Sequence, residues 1–253
     1  MRSACKSDRG LLRENNEDFV LADQDHGIFL LADGMGGGPA GEVASELAVT
    51  TAHALLLRFL PDTRPGQVAR LLAEALAAAH SAVAKRALGD LSLQGMGTTL
   101  EIVALRGAEA VLCHVGDSRI YLFRQGELRQ VTSDDNYAAV MVQNRMITAD
   151  RIPSRYRHIL TQAVGVSDEL VPEIRSLDLK PGDLLLICSD GLNGALEDRE
   201  IAALIEQNGQ DLEELADALV RGANEKGGAD NVSVVLVEPV APLAGGTLPV
   251  LAA

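Results

Sequence analysis

The chain has 253 residues, 47% of them hydrophobic, but aromatics reach only 3% and Trp is absent, so Leu, Val, Ile and Ala must fill the core. Its 36 acidic and 22 basic residues give a formal net charge of −14, a field that repels a long polyanion and argues against nucleic-acid binding. Cys5, Cys113 and Cys188 are too few and too scattered for a disulfide framework or a zinc site, residues 1–12 lack the apolar core of a secretion signal, and no stretch approaches the roughly 20 apolar residues of a membrane span. A cytoplasmic protein without membrane contact is the expectation.

The first 35 residues read as short strands and turns. Residues 19–22 form a short strand, Gly27 is a turn residue, and 28–32 is an apolar run suited to a strand buried on both faces and ending at Asp33. Two helices follow. Residues 42–60 are rich in Ala and Leu and stop at Pro61; 67–88 place Val68, Leu71, Leu72, Ala75, Leu76, Ala79 and Val83 at helical spacing before Gly89. Strands resume at 98–105, 110–115 and 119–124, and Gln125-Gly126 turns the chain into 128–131 as a hairpin. Residues 134 to about 165 are polar and mixed, with four arginines between Arg145 and Arg157, and read as an inserted helical flap. Another buried strand at 184–188 ends in Ser189-Asp190-Gly191, helices follow at 197–207 and 211–226, and 232–237 is the last strand. The order predicts one α+β domain over 1–240, with helices covering stacked sheets, and a loosely ordered tail over 241–253.

The aspartates fall at the ends of these strands. Asp33 follows 28–32, Asp117 follows 111–115 and Gly116, Asp190 follows 184–188, Asp230 precedes 232–237, and Glu17 and Asp18 precede 19–22. An Asp-Gly after a strand is ordinarily just a turn. Strand ends, however, let a rigid sheet aim side chains at one point. Two carboxylates about 4 Å apart repel by on the order of 4 kcal/mol at an effective dielectric near 20, so convergence of several demands a cation. Oxygen ligands alone point to hard ions, Mg²⁺ or Mn²⁺.

Six motifs stand in order: Arg13-Glu14-Asn15-Asn16-Glu17-Asp18, Asp33-Gly34-Met35-Gly36-Gly37, Gly97-Thr98-Thr99, Gly116-Asp117-Ser118-Arg119, Ser189-Asp190-Gly191-Leu192 and Asp230-Asn231-Val232. In them the chain resembles the PP2C-like (PPM) metal-dependent protein Ser/Thr phosphatases of bacterial type, over roughly residues 3–238. The resemblance implies a four-layer α-β-β-α sandwich of two mainly antiparallel sheets flanked by helix pairs. It implies that Asp33 bridges two metal ions, that the Gly34 carbonyl, Glu17 and Asp18 serve the second, and that Asp190 and Asp230 hold the first. Asp117, with Asp190, would hold a third ion, and Arg13 would grip the phosphate. It further implies a monomer that removes phosphate from phosphoserine and phosphothreonine by attack of a metal-bridging water or hydroxide, with a cognate bacterial Ser/Thr kinase among its partners. The chemistry is consistent on its own terms: paired metals activate water and neutralise phosphoryl charge, and Arg offers a planar fork to phosphate.

Departures mark where the resemblance thins. Met35 stands where many eukaryotic relatives have a histidine, leaving the general acid unassigned. Ser133-Asp134-Asp135 replaces an Asp-His, and residues 151–158 lack a His-Pro pair. Thr98 and Thr99 are expected to buttress the sheet under the metals. Three other readings compete. Cys113 and Arg119 have the C-x5-R spacing of thiolate phosphatases, but strand follows where a helix should, so Cys113 reads as a small apolar residue. A pseudophosphatase that binds phosphoprotein without cleaving it is opposed by the complete carboxylate set. No G-x-S-x-G elbow supports a serine hydrolase. The five histidines read as surface or core residues, with His158 in the flap as a candidate substrate contact.

Overall fold

The structure, a computed structural model, describes residues 1–36, 40–148 and 151–239. Its organisation starts from the apolar run at 28–32. In β3 (Ile28–Met35), alternation sends Ile28, Leu30 and Ala32 into one core and Phe29 and Leu31 into another. The strand is therefore buried on both faces, as its unbroken hydrophobicity requires. It pairs with β2 (Asp18–Asp23) and β5 (Leu100–Arg106), and the sheet continues through β6 (Glu109–Val115) to β9 (Glu173–Asp178), with the short β4 (Gly97–Thr98) set beside β3. The second sheet has the order β1 (Arg2–Asp8), β11 (Val232–Glu238), β10 (Leu184–Cys188), β7 (Arg119–Arg124), β8 (Glu127–Gln130). Every strand pairing is antiparallel.

Three cores separate four layers. Phe29, Leu31, Val103, Leu112, Ile120, Leu185 and Val235 fill the space between the sheets. On the outer face of the first sheet lie α1 (Ala40–Phe59) and α2 (Val68–Leu88). Ala44, Ala48, Ala52 and Leu56 recur every fourth residue on α1, and their small side chains let it sit close to β3. The other sheet is covered by α4 (Asp190–Ala195), α5 (Asp198–Asn208) and α6 (Leu212–Glu225). A reciprocal capping box between Glu197 and Glu200 starts α5, and the Asp211 carboxylate accepts from the Glu213 and Glu214 N–H groups to start α6. Among the described residues no helix is long and apolar enough to cross a membrane.

Several expectations need correction. Asp33 does not end its strand: β3 runs on to Met35, with Asp33 paired to Asp18. The strand expected over 98–105 is split at Thr99, whose N–H and hydroxyl turn to the Asp33 peptide. Ser189-Asp190-Gly191 is the start of α4 and not a plain turn. Strand β9 had no counterpart in the sequence reading, and β1 lay in a segment read as short strands and turns without being singled out as a strand itself. Both are edge strands, where polar residues replace the alternation that marks a half-buried strand. The flap holds α3 (Tyr137–Gln143) and a 3-10 turn at Ser154–Tyr156; an isolated bridge Asn136–Leu160 joins its two ends, and the bridge Thr98–Val164 ties it to the body. The tail expected over 241–253 lies outside the described residues.

Register places the functional loops. In the first sheet, Asp18 faces Asp33 and Leu100 faces Val115, so the start of β2, the end of β3 and the end of β6 share one end. In the second, Arg119 faces Cys188 and Asp8 faces Val232, which puts the start of β7, the end of β10 and the start of β11 together. The loop 116–118 passes from one sheet to the other at that same end.

Candidate metal centre

Cross-sheet hydrogen bonds join the two strand ends. The Ser189 hydroxyl donates to Asp18 Oδ2 at 2.8 Å and accepts from the Ser233 N–H at 2.9 Å. The Glu17 N–H donates to Asn231 Oδ1 at 2.8 Å, and the Asn231 amide donates to the Arg9 and Asn15 carbonyls, both at 2.9 Å. Asn231 thereby fixes the loop carrying Arg13, Glu17 and Asp18 onto the start of β11. Gly191 makes the close approach of α4 to this loop possible: a Cβ there would lie 1.9 Å from the Asn231 carbonyl oxygen.

Several of the predicted carboxylates are held from behind. The Asp33 N–H donates to Thr99 Oγ1 at 2.9 Å, and its carbonyl accepts from Thr98 Oγ1 at 2.8 Å and the Thr99 N–H at 2.9 Å. Thr98 and Thr99 thus do buttress the site. The Thr99 and Ser118 hydroxyls share a hydrogen bond at 2.9 Å beside Asp117. The Glu17 carboxylate packs on Gly41 in the first turn of α1, where a Cβ would stand 2.5 Å from Oε1, and the Gly41 N–H donates to it. Gly34 is wedged between the same two segments; its N–H donates to the Glu17 carbonyl at 3.0 Å. Asp230 Oδ2 pairs with Arg13 Nη2 at 2.8 Å, and Asp230 Oδ1 accepts from the Asn231 N–H.

Electrostatics shows that the group converges. The Asp33 carboxyl is pushed well above the ordinary range by burial and then by Asp18, Asp190, Asp117 and Asp230. Burial, opposed by hydrogen bonds from Ser233 and Ser189, raises Asp18 to about 7, with Asp190 and Asp230 adding to the rise. Burial and then Asp190 raise Asp117 to about 7 as well. Glu17 is raised by burial against the pull of Arg13. Burial would lower the Arg13 pKa, but Asp230, Glu17 and Asp33 more than reverse it, so Arg13 is a cation. One atom stands out: Asp18 Oδ1 is buried and has no hydrogen-bond partner. A buried carboxylate oxygen without a donor carries a large desolvation cost, and a bound cation is what relieves it. The donor set fits hard divalent ions for the same reason. Among the described residues no three His, Cys, Asp or Glu side chains stand close enough together to hold an ion as placed.

The flap supplies residues that the spacing of acidic motifs did not single out. His158 Nδ1 lies 3.6 Å from Asp190 Oδ2; that contact raises its pKa, opposed by burial and aided by Asp190, Asp117 and Asp230. A cleft of about 970 Å³ runs from Asp117 and Asp190 under the flap, past His158, Asp134 and Asn136. Asp135 joins the flap to the Asp117 loop: it accepts from the Gly116 N–H at 3.0 Å and from Gln162 Nε2 at 2.8 Å, while its own N–H donates to the Gly116 carbonyl at 2.6 Å. Cys113 is buried inside β6 and its thiol is pushed up to about 12 by burial, so it is no nucleophile. Arg119 is committed to Asp134 through two hydrogen bonds of 2.8 Å, which disposes of the C-x5-R reading.

Comparison with known proteins agrees with this arrangement. The family model Protein phosphatase 2C matches residues 9–236. The serine/threonine protein phosphatase PstP of Mycobacterium tuberculosis is 38% identical over 253 residues, all of this chain but 48% of that protein. The chain therefore spans about half the length of that curated relative. Protein phosphatase PhpP of Streptococcus pneumoniae is 35% identical over 242 residues, covering 94% of this chain and 97% of that protein. A crystal structure of the catalytic domain of PstP in complex with 2 manganese ions superposes with a TM-score of 0.81 at 38% identity, over 94% of this chain and 97% of that one. On the strength of the matched span, the shared fold and the ordered carboxylate loops, this chain belongs to the protein phosphatase 2C family.

Proposed function

We propose that the chain is a metal-dependent protein serine/threonine phosphatase, with residues 1–240 as its catalytic domain, about 134–165 as its flap and two Mn²⁺ or Mg²⁺ ions as its cofactor. The observation that carries this reading is the convergence of Asp18, Asp33, Asp117, Asp190 and Asp230, with Asp18 Oδ1 buried and without a donor, beside the Arg13 guanidinium. In it, Asp33 would serve both ions, Asp190 and Asp230 would help hold one, and Glu17, Asp18 and the Gly34 carbonyl the other. Asp117, with Asp190, would hold a third ion. The bound ions supply Lewis acidity and an activated water.

The protein's own groups do the positioning. Arg13 is 48% exposed and gives one nitrogen to Asp230, which orients the guanidinium and leaves the rest of its fork uncommitted among the described residues. That fork suits two phosphoryl oxygens and neutralises part of their charge as the P–O bond breaks. His158 places an imidazole at the cleft, with Nδ1 3.6 Å from Asp190 Oδ2. Asp135, through Gly116, keeps the Asp117 loop and the flap in one register, so the phosphate and the peptide that bears it meet a fixed frame. Phosphoserine and phosphothreonine proteins, a cognate bacterial Ser/Thr kinase among them, are the substrates this reading assigns. A cytoplasmic location and a monomeric state belong to the same reading.

Turnover of para-nitrophenyl phosphate by the purified protein tests it. Hydrolysis is expected only with added Mn²⁺ or Mg²⁺, to be lost in EDTA and to return when the metal is restored. Silence at every metal concentration, with phosphopeptide still bound, would favour a phosphoprotein-binding module instead. Arg13→Ala is expected to raise KM for small phosphoesters by roughly tenfold or more with a smaller change in kcat, since a charge-assisted pair contributes about 1.5–3 kcal/mol. An unchanged KM excludes Arg13 as the phosphate clamp.

A further inference from the structure

The flap carries a second hollow, of about 500 Å³, lined by Val142, Arg145, Met146, Ile147, Thr148 and Arg151. Val142 also lines the large cleft that contains Asp117, Asp190 and His158, so the two hollows share a wall. Several arginines elsewhere on this acidic chain are matched to carboxylates, among them Arg13 to Asp230, Arg119 to Asp134, Arg124 to Asp183 and Arg175 to Glu173. Arg145 and Arg151 have no such partner among the described residues. Two cations in one hollow repel each other and are reconciled by an anion between them.

The backbone makes an independent argument. Helix α3 ends in a Schellman closure: the Arg145 N–H donates to the Val142 carbonyl and the Met146 N–H to the Met141 carbonyl, both at 2.9 Å. That closure puts Arg145 in the left-handed region at φ 55°, a place where glycine or asparagine is the unstrained choice. A bulky cation held there against backbone preference is the kind of local strain that accompanies function. The Arg145 side chain lines the hollow together with that of Arg151.

We infer that this hollow binds a second anionic side chain of the phosphoprotein substrate, a phosphate or carboxylate flanking the phosphoresidue being hydrolysed. Guanidinium forks match both oxyanions bidentately. The inference rests on the phosphatase reading and narrows its substrate class to phosphosites in multiply phosphorylated or acidic segments.

The test compares phosphothreonine peptides that differ only in a flanking residue, placed at each of five positions on either side: neutral, glutamate or a second phosphothreonine. Each is assayed with the wild type and with the double variant Arg145→Gly, Arg151→Ala. Glycine suits the left-handed position, so the variant keeps its fold, which a thermal melt checks. At one or more spacings kcat/KM is expected to rise about tenfold, equivalent to about 1.4 kcal/mol, and the double variant to lose that rise. A gain from phosphothreonine alone assigns the hollow to phosphate; an equal gain from glutamate assigns it to anions generally. The inference is overturned if no spacing gives a gain, or if the gain survives in the double variant. Para-nitrophenyl phosphate turnover should match in both proteins. Its absence from the wild type would count against the phosphatase reading itself, and its presence without a peptide effect against this inference alone.

Discussion

Asp33→Asn is expected to lower turnover by about 10³-fold or more while making the metal-free protein more stable. The activity loss follows from removing the carboxylate proposed to bridge both ions, since metal-derived charge stabilisation accounts for several kcal/mol of the barrier and each 1.36 kcal/mol is tenfold. The stability gain follows from the repulsion among Asp18, Asp33, Asp117, Asp190 and Asp230. Asn keeps the side-chain shape, removes one charge from the cluster and offers its neighbours two donors.

The pH dependence fixes the sign of this effect. Asp18 and Asp117 titrate at about 7 in the fold against an ordinary value of 3.8. Between those limits the folded state binds more protons than the unfolded chain, so the stability these groups contribute is complete below about pH 4 and is lost as pH rises through about 7. Asp33 is itself raised well above 3.8 and loses stability in the same sense, and this is the titration Asp33→Asn removes; the melting temperature of EDTA-treated wild type should therefore fall as pH rises from about 5 to 8 relative to that of the variant, and saturating Mn²⁺ should remove the difference in slope. Thermal melts across that range decide the matter. A variant less stable than the wild type in EDTA at pH 8 would mean that the carboxylates do not share one field.

His114→Ala carries the second large effect, and it is on folding. His114 and Glu101 are both fully buried, face each other across β5 and β6, and form a 2.7 Å ion pair. The other ring nitrogen of His114 donates to the Ser133 carbonyl at 2.9 Å, at the base of the flap. Burial would lower the pKa of His114, but Glu101 and Asp135 more than reverse it, so the ring is an imidazolium. Glu101 Oε2 has no hydrogen-bond partner among the described residues. Truncating the histidine leaves a buried carboxylate uncompensated, at a cost of about 3–5 kcal/mol. At about 2–4 °C per kcal/mol for a chain of this size, the melting temperature should drop by roughly 10 °C. Replacing both members with apolar residues, Glu101→Val with His114→Leu, should recover much of the loss, because exchanging a whole buried pair is often neutral. A single variant that melts within a degree or two of the wild type would show that the pair contributes little.

These two sites differ in how legible they were. The aspartates announced themselves by position, each beside glycine or asparagine at the end of an apolar run. The buried pair did not, because Glu101 and His114 look like polar interruptions in two strands until β5 and β6 are laid side by side. His158 was singled out in the sequence as a flap residue and candidate substrate contact, but only the path of the flap shows that it comes to Asp190. Asn231 read as one more residue of a motif, yet its side chain ties the Arg13 loop to β11 from more than 200 residues away.

By itself the sequence determined which residues are buried and on what period: alternation in the strands, fourfold spacing in α1 and α2, caps and glycines at their ends. It also determined the chemistry available, a set of hard oxygen donors and one flexible cation in a fixed order. Tertiary structure alone decided that Asp18 stands opposite Asp33, that Asp117 bridges two sheets, and that Ser189 and Asn231 join strands from opposite layers. The physical reason is range. Hydrophobic periodicity is a local property that says which face of an element is buried, whereas strand partners, registers and the hydrogen bonds of buried polar groups are set between segments far apart in the chain, where no local pattern records them.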